Sequence, residues 1–406
     1  MLRTKLPFFL AYAQKLRKPT FLEYVEFDGN SWIDTEYVPS SNTRVVGSVL
    51  FREWKNTVTD TTVANYVFGV FGNNQNYGFN VGSSRNFFNT PWEANSGIND
   101  QTKGIIPELN IKYNFDVSKE GTYINDVEYL GASRFTVTFQ AQKTMFVGWS
   151  NGTSAEKMIG NIYGIKIYES DELIQDLYPA LDPRGVVCFY DTVTKQYFYN
   201  KGTGSFIAGP RFIEYIKSTG TQYIDTGIYA PDVTRFVVKG TCEPNGMSNA
   251  QLLGAKDSSA ATSFFGSRIV SGKQSWYCVV GDSTSIGNPL NLSIIDATIV
   301  DDKNQPGTLT DLVEGTTQSF ESFVGSTSNF AFLENNLCIF GGSATRASLN
   351  ATCYELQIYT ADGLVRHFKP CIDGNNVKCM YDLVTGKYYY NQGTGEFIAG
   401  SESSSN

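Results

Sequence analysis

Apolar and polar positions alternate along this chain in short segments of strand length. Arg44-Val-Val-Gly-Ser-Val-Leu-Phe51, Arg134-Phe-Thr-Val-Thr-Phe139 and Asn161-Ile-Tyr-Gly-Ile-Lys-Ile-Tyr168 have the period of two and the β-branched bias of strands with one buried face. Thr234-Arg-Phe-Val-Val-Lys-Gly-Thr241 and Thr352-Cys-Tyr-Glu-Leu-Gln-Ile-Tyr359 show the same pattern. Turn residues punctuate it: Gly121-Thr-Tyr-Ile-Asn125-Asp126-Val-Glu-Tyr129 predicts a hairpin turning at Asn125-Asp126, where left-handed backbone is tolerated. No stretch of useful length carries a helical period with caps, so the pattern predicts an all-β chain.

The same text then appears twice. Phe21-Leu-Glu-Tyr-Val25 returns as Phe212-Ile-Glu-Tyr-Ile216, 191 positions on, and Ile33-Asp34-Thr35 returns at that spacing as Ile224-Asp225-Thr226. Cys188-Phe-Tyr-Asp191 and Tyr197-Phe-Tyr-Asn200-Lys-Gly-Thr-Gly204 reappear as Cys379-Met-Tyr-Asp382 and Tyr388-Tyr-Tyr-Asn391-Gln-Gly-Thr-Gly395. A period this long exceeds a solenoid unit of roughly 20–50 residues and marks a duplicated domain. The predicted organisation is an N-terminal anchor (1–20), two sandwich domains (21–210 and 211–401) and a polar tail (402–406). Between the matched ends, Phe68-Gly69 aligns with Leu253-Gly254 at 185 and Val147-Gly148 with Phe340-Gly341 at 193, which places the length changes in middle loops.

The duplication also interprets the odd cysteine count. Of the seven, one lies in the first copy and six in the second, whereas a disulfide framework would recur in both. Cys242, Cys353 and Cys371 fall opposite Phe51, Ile162 and Ala180, Cys338 falls near Met145, and Cys379 matches Cys188, which predicts buried free thiols. Cys371 and Cys379 form the one pairing that proximity suggests. The net charge of −8 becomes −13 once the five basic residues of the first twenty are set aside, and acidic domains on a basic tail do not suit nucleic-acid binding.

That tail has two readings. Leu6-Pro-Phe-Phe-Leu-Ala-Tyr-Ala13 has the outline of a signal peptide, but its apolar run is short and Lys15, Arg17 and Lys18 follow at once. The preferred expectation is an amphipathic anchor that docks Phe8, Phe9 and Leu10 on a partner, with Arg3, Lys5, Lys15, Arg17 and Lys18 meeting its acidic groups. No segment approaches the roughly 20 apolar residues of a membrane span.

The paired motifs, Thr219-Gly-Thr-Gln-Tyr-Ile-Asp-Thr-Gly227 at a domain start and Tyr-Asp-x-x-Thr-x-x-Tyr-Tyr-x-Asn-x-Gly-Thr-Gly-x-Phe near its end, carry a resemblance over residues 21 to 400. They look like the laminin-G-like, concanavalin-A-like jelly rolls of gut bacterial surface proteins and of phages that infect those bacteria. The resemblance implies two tandem antiparallel β-sandwiches, with adhesion or carbohydrate binding as their role. Some such relatives bind calcium, but no Asp or Asn positions here match a ligand motif, so no calcium ligand is assigned and no other cofactor is expected.

Catalytic chemistry is poorly supplied. His367, the only histidine, sits in Leu364-Val-Arg-His-Phe368 and is read as a surface or edge-strand residue. Asp301-Asp302 and Asp171-Glu172 are adjacent pairs, and neighbours on a strand point to opposite faces, so neither pair can flank a glycosidic bond from one strand. Sugar binding instead needs aromatic rings beside amides and carboxylates. Trp92 with Glu93 and Asn95, Trp54, and Trp276 with Tyr277 occupy polar segments and are the expected ligand-binding residues; Trp32, matched by Tyr223, is expected in the core.

These observations predict a non-enzymatic phage virion protein of head- or tail-fibre type, assembled in the host cytoplasm and attached to other virion proteins through residues 1–20. It would form a homo-oligomer and present its domains to host or mucus glycans. A secreted or cell-surface bacterial carbohydrate-binding protein is the alternative, and a glycan hydrolase a disfavoured third.

Overall fold

The computed structural model describes residues 18–53, 65–72, 75–81, 87–90, 107–131, 141–150, 158–243, 249–256, 261–270, 273–278, 285–299, 307–320, 336–341 and 349–402. They divide into two compact units, one ending at Gly209 and one beginning at Pro210. Both are built of antiparallel strands, and the helical content among the described residues is one 3-10 turn, Ala230–Asp232.

The first unit contains β1 (Thr20–Phe21), β2 (Val25–Asp28), β3 (Ile33–Asp34), β4 (Thr43–Phe51), β5 (Asn65–Gly72), β6 (Gln75–Val81), β7 (Phe87–Thr90) and β8 (Lys112–Ser118). After these come β9 (Gly121–Ile124), β10 (Val127–Gly131), β11 (Phe146–Val147), β12 (Ile159–Glu169), β13 (Glu172–Leu181), β14 (Val187–Asp191), β15 (Tyr197–Phe198) and β16 (Ile207–Ala208). One sheet runs β10-β9-β8-β4-β12-β13-β14-β15, with β2 added beside β12, β16 beside β2, and β1 beside β13. The other runs β3-β11-β5-β6-β7. Alternation does what the sequence pattern predicts: β4 buries Val45, Val49 and Phe51, and β12 buries Ile162, Ile165 and Ile167. Rings from the two sheets meet between them, with Phe115 of β8 at 5.0 Å from Phe79 and 6.0 Å from Phe68. Each such fully buried ring contributes about 1.5–3 kcal/mol of apolar burial, and this shared layer makes the unit a two-sheet sandwich.

The second unit repeats the plan. Its large sheet runs Thr316–Phe320, Gly307–Asp311, Ser293–Thr298, Arg235–Cys242, Leu349–Thr360, Gly363–Ile372, Lys378–Asp382 and Lys387–Tyr389. Its smaller sheet starts at Ile224–Tyr229 and Asn336–Ile339. Even the outer face is copied: Arg44 grips Asp116 through two bonds of 2.8 and 2.6 Å, and Arg235 grips Asp296 through two of the same lengths.

The turns follow their chemistry. Asn125 and Asp126 take φ of 49° and 63° between β9 and β10. The turn after β14 closes at Lys195 (φ 62°), where the second unit has Gly386 (φ 67°), and in each case an Asp carboxylate holds it. Asp191 Oδ1 accepts the Asp176 and Val193 N–H groups, and its Oδ2 accepts the Thr194 hydroxyl at 2.6 Å. Pairing also corrects one alignment. Val147 and Ile339 lie opposite the matched residues Ile33 and Ile224, so the spacing there is 192 and Gly148 corresponds to Phe340.

Cys188, Cys242, Cys338, Cys353, Cys371 and Cys379 are buried thiols outside any disulfide, as their alignment with apolar positions predicts. The Cys371 and Cys379 sulfurs stand 3.5 Å apart as thiols. Burial pushes the Cys188 and Cys353 thiols up to about 12. Between the ordinary thiol value of about 8.5 and that raised value the native state keeps protons that the unfolded chain releases, so these thiols reduce stability as pH rises through the window. Native protein at mildly alkaline pH is expected to leave both unlabelled by a thiol-specific alkylating reagent until it is unfolded, read by mass spectrometry. Labelling at the rate of a model thiol would contradict their burial.

Candidate functional site

Where β3 and β11 meet, the first unit gathers three aromatic rings. Trp32 enters β3, and Phe146 and Trp149 flank the end of β11. Phe146 is paired with Asp34, and Trp32 lies two residues before Asp34, so strand alternation puts Trp32, Asp34 and Phe146 on one face. Gly148, at φ 81°, then interrupts the alternation. Trp149 falls back so that its ring stacks on Phe146 at 5.7 Å and 24°. Trp32 tilts against both, at 4.5 Å from Phe146 and 5.0 Å from Trp149. Phe146 is buried beneath, while Trp32 and Trp149 are half-buried.

The Gly-Thr-Gly turn fixes this corner. Asn200 Oδ1 accepts the Trp32 N–H at 3.1 Å and the Gly202 N–H at 2.8 Å, Asn200 Nδ2 donates to Gly204 O at 2.6 Å, and the Lys201 N–H donates to Trp32 O at 2.8 Å. Below it, burial works against the charge of Asp28, but the N–H groups of Ser205 and Asn30 outweigh it and hold the carboxyl below its ordinary value. That contribution to stability is present above the unfolded carboxyl value and is lost as pH falls through the lowered one.

The second unit reproduces the fastener and omits the rings. Asn391 Oδ1 accepts the Tyr223 and Gly393 N–H groups in the same way. The positions of Trp32, Phe146 and Trp149 hold Tyr223, Cys338 and Gly341.

The sequence-predicted residues fare differently. Trp276 is a correction: it is 1% exposed, belongs to the core of the second unit and stacks on Phe265 at 4.9 Å and 13°. Strand alternation in Lys273–Cys278 turns it inward, so it offers no face to a sugar. Tyr277 follows it in that strand, and its side chain lies outside the described residues, as do Trp54, Trp92, Glu93 and Asn95. Arg3, Lys5, Phe8, Phe9, Leu10, Lys15 and Arg17 also lie outside them, while Lys18 is exposed. Trp32 is the second correction, since it is half-buried in an aromatic cluster and is not a core residue. For His367 only the edge alternative is corrected: its strand is flanked on both sides by Leu349–Thr360 and Lys378–Asp382, while its side chain is part-exposed, with Nε2 2.5 Å from Glu355. Pairing with His367 outweighs burial and holds the Glu355 carboxyl below its ordinary value.

Among the described residues no group of three or more His, Cys, Asp or Glu is placed to hold a metal ion. Both carboxylate oxygens of Asp28 are engaged by the backbone, one accepting the Asn30 N–H and the other the Ser205 N–H. No helix among the described residues is long and apolar enough to cross a membrane.

No protein-family model matches the chain, and no curated protein matches it. Among solved structures the chain is similar to the mouse laminin alpha1 chain, domains LG4-5, at 11% identity over 96% of this chain and 97% of that one, with a TM-score of 0.30. A likeness at that score has no bearing on function, and the class of the protein, two tandem antiparallel β-sandwiches, follows from the sheets themselves.

Proposed function

We propose that the chain is an adhesive, glycan-binding module in which Trp32, Phe146 and Trp149 form the sugar platform. One observation carries this: half-buried indole rings cluster beside a carboxylate in one copy of a duplicated fold and are missing from the other. A sandwich that closes equally well with Tyr223, Cys338 and Gly341 does not need the rings for folding. An indole face packs against pyranose C–H groups while a nearby acceptor takes a hydroxyl. Asp34 is such an acceptor, because the Glu36 N–H occupies only its Oδ1, at 2.8 Å.

A glycan array probed with the wild-type chain and with Trp149→Ala tests the reading. Wild type should give a defined set of positive glycans, and Trp149→Ala should lose signal on all of them. A parallel Trp92→Ala arm examines the rival location with Trp54, Glu93 and Asn95; loss of signal there alone would move the site away from the platform.

The larger assembly belongs to the same proposal: laminin-G-like sandwiches displayed from a phage head or tail through residues 1–20. Free buried thiols suit folding in a reducing cytoplasm, and the basic N-terminal residues supply an attachment charge. Intact mass of the protein from its native source separates this from the secreted bacterial alternative, which predicts loss of the first 13 residues.

A further inference from the structure

The duplication lets each unit act as a control for the other at a second location. Where the segment after β3 meets β13 and the turn after β14, the first unit contains a pocket of about 200 Å³ with Glu36, Tyr37, Gln175, Thr194 and Phe198 in its wall. That is smaller than the roughly 300–1,000 Å³ of a drug-sized site and matches the end of one long side chain. Gln175 is 8% exposed; its Nε2 donates to Thr35 O at 2.9 Å, and its Oε1 is buried with no hydrogen-bond partner. A buried acceptor left unmet is unfavourable by about 1–3 kcal/mol. Behind the wall, Thr194 is held by Asp191, a fully buried carboxylate with which no basic side chain pairs among the described residues.

At the matched positions the second unit has Arg366 for Gln175, Gly227 for Glu36, Thr385 for Thr194, Tyr389 for Phe198 and Asp382 for Asp191. Arg366 fills the space. Its Nε donates to Thr226 O at 3.2 Å, repeating the bond that Gln175 makes to Thr35 O, and its Nη1 donates to Val365 O at 2.8 Å. Its guanidinium lies 3.6 Å from Asp382 Oδ2 and 5.8 Å over the Tyr389 ring. Nη2 passes 3.7 Å from the point where a Cβ on Gly227 would stand, which is where the first unit begins the Glu36 side chain. The first unit has therefore kept the carboxylate, the hydroxyl and the aromatic wall, added an acidic residue at the rim, and removed the cation they surround.

We infer that the first unit's pocket binds the guanidinium of an exogenous ligand, seated as the second unit seats its own Arg366. Guanidinium suits the site better than ammonium because its planar fork offers several donors to the acidic rim at Glu36 while its face can lie on a ring, as the Arg366 guanidinium lies over Tyr389. The inference concerns a different pocket from the aromatic platform and does not depend on glycan binding. The source can be an arginine side chain of a partner polypeptide or a small guanidinium compound.

Chemical-shift titration of the full chain with Nα-acetyl-arginine amide, and with the neutral, near-isosteric Nα-acetyl-citrulline amide, tests it. The arginine compound should saturate a single site, with citrulline at least about tenfold weaker. Gln175→Arg should abolish binding while the chain stays folded, since the second unit accommodates arginine at the matched position. Glu36→Gln, a change at an exposed side chain, should weaken binding without touching the core. A short arginine-containing peptide that binds more tightly than the capped amino acid assigns the source to a polypeptide; equal affinity assigns it to a small molecule. Absence of saturable binding, equal binding of citrulline, or undiminished binding by Gln175→Arg overturns the inference.

Discussion

Gly148→Ala is expected to destabilise the first unit by about 3 kcal/mol in chemical denaturation, made up of about 1–3 kcal/mol for a side chain at left-handed φ and a similar overpacking term. Gly148 has φ 81°, and a Cβ there would stand 2.4 Å from two ring carbons of Phe27. The second unit resolves the same conflict the other way round. Phe340 occupies the matched position at φ 67°, and Ser218 replaces Phe27. Each unit thus packs one phenylalanine beside the ring that follows its Gly-Thr-Gly turn, Phe27 at 4.8 Å from Phe206 and Phe340 at 5.6 Å from Phe397. Phe27→Ser alone should cost about 3–5 kcal/mol through the cavity it leaves. Adding Gly148→Phe to it should recover at least about 1 kcal/mol, as expected for residues that share one space. Strict additivity of the two changes would show that the two packings are not alternatives.

The turn aspartates should also matter unequally. Asp191→Ala removes a buried acceptor of two N–H groups and one hydroxyl, with an expected loss of about 3 kcal/mol. Asp382→Ala removes the matching bonds from His367 N–H, Val384 N–H and the Thr385 hydroxyl, and it also deprives Arg366 of its carboxylate. Leaving that mostly buried guanidinium unpaired raises the expected loss to about 4–5 kcal/mol. Denaturation curves in which Asp191→Ala is the more damaging change would contradict the view that Arg366 is held by Asp382.

Much of the scaffold was legible in the repeated text because its ends keep register. Strand alternation, the left-handed turn at Asn125-Asp126 and the apolar settings of the cysteines all depend on local pattern. The aromatic platform was not legible, for a physical reason. It depends on Trp149, which comes after a left-handed residue beyond β11, so strand alternation alone does not bring its ring to Trp32 and Phe146. Trp32 looked like scaffold because its backbone is scaffold: Asn200 and Lys201 hold its N–H and C=O in a motif that both copies share, while its ring belongs to one copy's site. Trp276 erred in the opposite direction. Nothing in the polar composition of its segment shows which face of the strand packs into the core.

The first unit's aromatic cluster is proposed as a binding surface that the fold itself does not need. Its most direct test is the affinity of wild type and Trp149→Ala for one array-positive oligosaccharide, measured by titration calorimetry beside a denaturation curve for each. A loss of affinity of at least about tenfold is expected, with an unfolding midpoint close to wild type. Undiminished affinity in a folded Trp149→Ala chain would contradict it.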